Sequence, residues 1–174
     1  MRKLFILFSL ILIYSCSLVK VYYDYEKNFD FEQYKTYNYY SDLDTGLNEL
    51  DHNRLLNKFD DIMKEKGFEL SSSPDFYVSI SSQEVEKVGN TGVGVAVGGT
   101  SGNVGGGVNI GVPVGPRYAR QMFFEFIDED GIGLFWQAIS ESPLDEYATP
   151  NERRYEINKL VEKVLEGYPP QQED

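Results

Sequence analysis

A chain of 174 residues with 28 acidic against 16 basic side chains, and a formal net charge of -12, is repelled by nucleic-acid phosphates and anionic head groups, so nucleic acid is not its partner. Hydrophobic residues at 41% and aromatics at 14% exclude intrinsic disorder despite that charge. The length suits one domain with a core of its own.

The chain opens with Arg2 and Lys3 and an apolar run from Leu4 to Tyr14. That run is too short to span a bilayer, which needs roughly 20 residues, and has the build of a secretion signal. Its end, Ile13-Tyr14-Ser15-Cys16, resembles the lipobox of bacterial lipoproteins, with small Ser15 directly before the cysteine. The resemblance implies that residues 1–15 are a signal peptide removed in the mature protein, and that the Cys16 thiol carries a diacylglycerol. It also implies an acylated new amino terminus, palmitate being the expected kind of chain. Cys16 is the only cysteine, and acylation consumes a thiol that an oxidising compartment would otherwise leave reactive. Each acyl methylene contributes about 0.8 kcal/mol of membrane binding, so one chain holds weakly and two or three hold durably. Loss of Arg2 and Lys3 with the signal takes the charge from -12 to -14. The expected place is the bacterial cell envelope, lipid-anchored at the outer membrane and facing the periplasm.

Residues 16–170 read as one α/β domain. Leu18–Tyr25 and Phe31–Tyr40 are rich in β-formers and alternate weakly, predicting two strands joined by the turn-type residues Glu26 to Asp30. Seven tyrosines lie from Tyr22 to Tyr40; they pair across half-buried strands or present a face that stacks on sugars or peptides. After the polar break Ser41 to Gly46, residues 47–66 read as a helix. Leu55, Leu56, Phe59, Ile62 and Met63 share one face, Gly67 suits the position after the last turn, and Lys64 and Lys66 complement the dipole. The only histidine, His52, lies beside that stripe with no second ligand or nucleophile at usable spacing. A third strand follows at Asp75–Ser82, with Phe76, Val78 and Ile80 on one face.

Composition then changes. Residues 89–116 hold eleven of the sixteen glycines and almost no charge. Val93, Val95 and Val97 alternate with small residues, as do Val108, Ile110, Val112 and Val114, which reads either as a two-stranded interaction arm with one aliphatic and one bare face or as a flexible glycine loop. There is no Gly-Lys-Ser/Thr of a phosphate loop. Tyr118–Ile127 and Leu134–Ser140 then predict a hairpin around Asp128-Glu-Asp-Gly-Ile-Gly133, with Leu134 and core Trp136 on one face. The acidic turns at Asp42 to Gly46 and Asp128 to Asp130 lack the ligand count of a calcium loop. Thr149-Pro150-Asn151-Glu152 is a capping box for a last helix, whose buried stripe is Ile157, Leu160, Val161, Val164 and Leu165. Gly167 and Pro169-Pro170 end it, and residues 171–174 read as a disordered tail.

The landmarks run in a set order: Asp24-Tyr25, Phe31 with Tyr34-Lys35-Thr36-Tyr37, Lys66-Gly67-Phe68, Pro74-Asp75-Phe76, the glycine-rich insert, Phe126-Ile127-Asp128, Leu134-Phe135-Trp136 and Tyr168-Pro169-Pro170. From about Val19 to Pro170 this resembles the bacterial lipoprotein family catalogued as domain of unknown function 4136. The chain has Gln137 and Ala138 where that family commonly has a basic residue and glycine. The resemblance implies an envelope location and supplies no catalytic residue or cofactor. The element order predicts a two-layer sandwich, a mostly antiparallel sheet of about five strands with two helices on one face. The function expected is that of a noncatalytic interaction or structural module with an envelope partner or self-association, the alternative being a carrier of a small apolar ligand. No Gly-x-Ser-x-Gly or other catalytic motif is present.

Overall fold

The computed structural model describes residues 19–87 and 117–171. Strand β1 (Lys20–Tyr25) is followed by a single 3-10 turn at Phe31–Gln33 and then β2 (Thr36–Tyr39). Helix α1 (Glu49–Glu65), the two-residue β3 (Glu69–Leu70), β4 (Phe76–Lys87), β5 (Arg117–Asp128), β6 (Gly133–Pro143) and α2 (Pro150–Leu165) complete the order. Six strands form one sheet in the order β1-β6-β5-β4-β2-β3, one more than the sequence suggests. The four strands from β1 to β4 across the sheet are antiparallel, whereas β2 runs parallel to both β3 and β4. Such parallel neighbours need a crossover, and between β2 and β3 it is α1. The α+β class and the two helices stand as expected.

Two strand expectations change. Phe31 to Gln33 is not extended, because the Asp30 carboxylate accepts the Glu32 amide at 3.0 Å and closes a turn, a local bond that competes with the sheet. In the hairpin, Leu134 and Trp136 do not share a face. A bulge between Phe126 and Ile127 sets Ile127 opposite Leu134 and Phe126 opposite Trp136. Phe135 is the extra residue, and it and Trp136 are both buried while Leu134 stays exposed. An inserted residue breaks the period of two, which alternation alone does not show.

Alternation elsewhere sorts the sheet cleanly. Phe76, Val78, Ile80, Met122, Phe124 and Phe126 are buried against the helices. Helix α1 supplies Leu55, Phe59, Ile62 and Met63 to that core, and α2 supplies Leu160, Val161, Val164 and Leu165. The Phe59 ring lies 6.4 Å from Phe124 and 6.0 Å from Phe126. The helices begin where the sequence places caps. Asn48 accepts from the Asp51 amide at 3.1 Å, and Thr149 and Glu152 close both halves of their capping box. Gly67 turns out of α1 at φ +90°, a conformation that glycine adopts without a Cβ penalty.

The family landmarks turn out to be fasteners of this fold. Asp75, before β4, accepts both backbone amides of Lys35 and Thr36 and the Thr36 hydroxyl, at 2.8 to 2.9 Å. This fixes the start of β2 against the start of β4. Burial by itself would raise the Asp75 carboxyl, but those three bonds hold it below the ordinary carboxylate value. Trp136 Nε1 donates to the Gly167 carbonyl at 3.2 Å, and the Trp136 ring lies 5.2 Å from Tyr168. The end of α2 is thereby pinned to the middle of β6. Gly167 is not in a positive-φ conformation; a Cβ there would overlap the Tyr23 ring, so close approach, rather than helix termination alone, accounts for it.

Candidate functional site

The tyrosines are mainly structural. Tyr37 and Tyr39 both donate to Oδ1 of Asp60 on α1, at 2.7 and 2.6 Å, and Tyr34 donates to Asp128 at 2.5 Å. Tyr23 donates to the Lys163 carbonyl at 2.6 Å. Burial raises the phenols of Tyr34, Tyr37 and Tyr39 above their ordinary value, and the carboxylate each one faces raises them further. Tyr40 is pushed up to about 12 by burial and by its bond to Glu129. These groups bond as neutral donors.

The remaining polar residues singled out in the sequence are also engaged. His52 Nδ1 lies 3.0 Å from the Thr45 hydroxyl. The acidic turns serve their own backbone: Asp44 accepts from Gly46, and Asp128 accepts from Asp130. No group of three or more His, Cys, Asp or Glu among the described residues is placed to hold a metal ion. Cys16 and the arm residues Val93, Val95, Val97, Val108, Ile110, Val112 and Val114 lie outside the described residues.

Two surfaces stand out. The first is the sheet face opposite the helices. Its central row runs Tyr22, Ile139, Phe123, Ser81 across β1, β6, β5 and β4 in register. A second apolar row lies toward the hairpin end, Leu134, Ile127 and Tyr77, with Tyr40 stacked on Tyr77 at 5.0 Å. Between them sits a polar row, where Gln137 donates to Asp24 at 3.4 Å and Glu125 is its neighbour on β5. Tyr22 is 61% exposed and Leu134 43%, and no described helix lies over this face.

The second is a groove of about 530 Å³ between α2, the far end of β5 and β6, and the start of β1, within the range of about 300–1,000 Å³ usual for ligand pockets. Its floor is apolar: Val19, Leu47, Met122, Leu144, Ile157 and Leu160. Asp51 and Arg153 stand in its wall. Asp51 is 2% exposed, held by Arg54 at 2.5 Å, by Asn48 at 2.8 Å and by Arg153 at 3.4 Å. Burial pushes its carboxyl up, but the bonds from Asn48 and Arg54 and the two guanidinium charges outweigh this and leave it below the ordinary value. Arg153 also donates to the carbonyls of Ala148 and Glu146, so one buried carboxylate ties α1, α2 and the loop before α2 together. The rim cations are partnered too: Arg120 with Glu84 at 3.2 Å, Lys159 with Glu162 at 3.0 Å. A groove whose cations are already paired around an apolar floor, with Glu156 and Asp145 adding only negative charge to its lining, is suited to an apolar occupant that carries no anionic group. Sequence reasoning missed it, because Asp51 with Arg54 reads as one more exposed i,i+3 pair until Arg153 is brought in from 102 residues away.

The chain matches the family described as Domain of unknown function (DUF4136) over residues 21–170. No curated protein matches it. Among solved structures it is similar to a PDZ domain protein from Parabacteroides distasonis, with TM-score 0.58 and 12% identity over 99% of this chain; the chain spans 41% of that protein. It is similar also to a DUF4136 family protein from Bacteroides thetaiotaomicron, with TM-score 0.56 and 12% identity over 88% of this chain and 97% of the other. A PelC dodecamer from Paraburkholderia phytofirmans gives TM-score 0.51 and 11% identity over 88% and 99%. At these identities the likeness is one of fold.

Proposed function

The chain belongs to the family described as Domain of unknown function (DUF4136), and on that premise we propose that it is a noncatalytic module of the bacterial cell envelope, lipid-anchored through Cys16 and binding another folded envelope protein. The reading places it at the outer membrane, facing the periplasm. The observation that carries it is the division of the sheet. One face is filled by two helices, and the other keeps Tyr22, Ile139, Phe123, Ile127 and Leu134 in register with no described element upon them. Two apolar rows divided by one polar row suit a protein contact, since such interfaces mix apolar and polar surface. The shortness of the tether supports the same reading. Lys20 is already paired with Glu141 in the sheet, and three residue steps from Cys16 to Val19 reach at most about 11 Å. A body so held meets its partners close to the bilayer. The titratable groups described above serve as caps, staples and ion pairs, which is why no catalytic role is assigned to them.

Substitution of Phe123 and Ile139 by Glu tests this. Both side chains lie on the uncovered face, so the variant is expected to fold. It is expected to lose a partner that the unaltered protein retains on affinity capture from its own membranes, or to lose self-association on native mass spectrometry. A folded variant that keeps every partner and its oligomeric state refutes the assignment. The alternative of a carrier for a small apolar ligand is favoured by one observation, the apolar floor of the groove. Noncovalent cargo retained through native mass spectrometry would establish it.

A further inference from the structure

Resting on the reading of Cys16 as lipidated, we propose that the groove between α2 and the start of β1 is the seat of an acyl chain carried by Cys16 itself. The described chain begins at Val19, and Val19 is part of the groove floor. Cys16 is three residues upstream, and three residues span at most about 11 Å. A chain bonded at Cys16 therefore starts no more than about 11 Å from Val19 in the lining of an apolar trough. The floor beyond Val19 is supplied by Met122 and Leu160, both buried, and by half-buried Leu47, Leu144 and Ile157. No cation in the wall is left over to recognise a head group, since Arg153 is paired with Asp51, Arg120 with Glu84 and Lys159 with Glu162. Lys163, the remaining lysine of the lining, is paired with Glu166. A hydrocarbon chain asks for nothing else. Two acyl chains suffice for durable anchoring, so a third can leave the bilayer for the groove without releasing the protein.

The geometry also says what this would do. An acyl chain clamped under α2 fixes the direction in which β1 leaves the membrane, converting a loose leash into an oriented mount.

The experiment places a photo-activatable benzophenone amino acid at position 157 of the full chain, expressed and lipidated in its own membrane. A second sample carries it at position 77, on the opposite sheet face. After irradiation, digestion and mass spectrometry, the expected product joins the position-157 peptide to the lipidated Cys16 peptide of the same chain, several-fold more abundantly than any such product from position 77. The unirradiated Cys16 peptide is weighed in parallel. A lipidated Cys16 with no position-157 crosslink overturns the groove assignment and leaves the anchor standing, whereas an unmodified Cys16 overturns both. A position-157 adduct with a free phospholipid also overturns the assignment, in favour of a carrier. The same crosslink found in an Ile157 sample whose body is unfolded, judged by lost protection of α2 from proteolysis, counts against it as well.

Discussion

Gly167→Ala is expected to destabilise the fold through Tyr23 and through nothing else. The added Cβ would overlap the Tyr23 ring, and the backbone at Gly167 has little freedom to retreat, because its carbonyl accepts from Trp136 and the neighbouring Tyr168 is fully buried. Tyr23 must then move. Doing so breaks its bond to the Lys163 carbonyl, worth about 1 kcal/mol. It also disturbs the ring contact with Trp136 at 6.1 Å, worth about another 1 kcal/mol. The sum, about 2 kcal/mol, lies within the usual cost of overpacking. In a Tyr23→Ala background the same change should cost nothing or stabilise slightly, since Ala restricts the unfolded chain more than Gly does. The double-mutant cycle should therefore show a coupling of about 2 kcal/mol. Urea titration of the signal-free chain, followed by fluorescence of the single tryptophan Trp136, measures it. Equal costs in the two backgrounds would falsify the close-approach account of Gly167.

Other outcomes follow from the same geometry. Asp51→Ala strips a buried carboxylate from two guanidinium groups and should cost about 3 kcal/mol in urea unfolding. Because the Asp51 and Asp75 carboxyls lie below their ordinary values when folded, their stabilisation is present above the unfolded value of about 3.9 and lost as pH falls through the folded ones; Asp51→Asn should flatten stability against pH below about pH 5, and an unchanged acid limb would count against the cluster. The phenols of Tyr34, Tyr37, Tyr39 and Tyr168 are raised, so the neutral forms stabilise the fold below the unfolded value of about 10 and that contribution disappears as pH rises beyond it. Tyrosinate absorbance should accordingly appear together with loss of tertiary circular dichroism, and independent titration of the tyrosines in a folded protein would refute the staples. Replacing residues 89–116 with a short turn should leave stability unchanged within about 0.5 kcal/mol, since Lys87 and Arg117 are already paired. If that deletion also removes a partner or self-association, the valine–glycine segment is an interaction arm; a variant that keeps every partner shows that it is not.

What could be read from the sequence was whatever depends on neighbours along the chain. The capping box at Thr149, the stripe of α1, Gly67 and the buried alternation of β4 and β5 are set within a few residues, and each appears where its pattern lies. The misreadings share a cause. At Phe31 a single Asp30 side chain outbid the β-forming aromatics around it, and at Phe135 one inserted residue shifted the register. Parallel pairing of β2 with β4 and the burial of Asp51 depend on partners dozens of residues away, which no local period encodes. The groove was invisible for the same reason: its walls come from five separate stretches of chain. The family landmarks carried real information, yet about fastening rather than chemistry: Asp75, Tyr34 and Trp136 each spend their polar atoms inside the fold.

Strand β1, the first to be made, has β6 as its neighbour, with Tyr22 opposite Ile139. More than a hundred residues must therefore be synthesised before the opening strand finds its place, and late, non-local closure of this kind slows folding. On the proposed reading of this chain as an exported lipoprotein, that delay would be useful. Strand β1 would stay unpaired, and the proposed lipidation site before it accessible, until β6 arrives to pair with it.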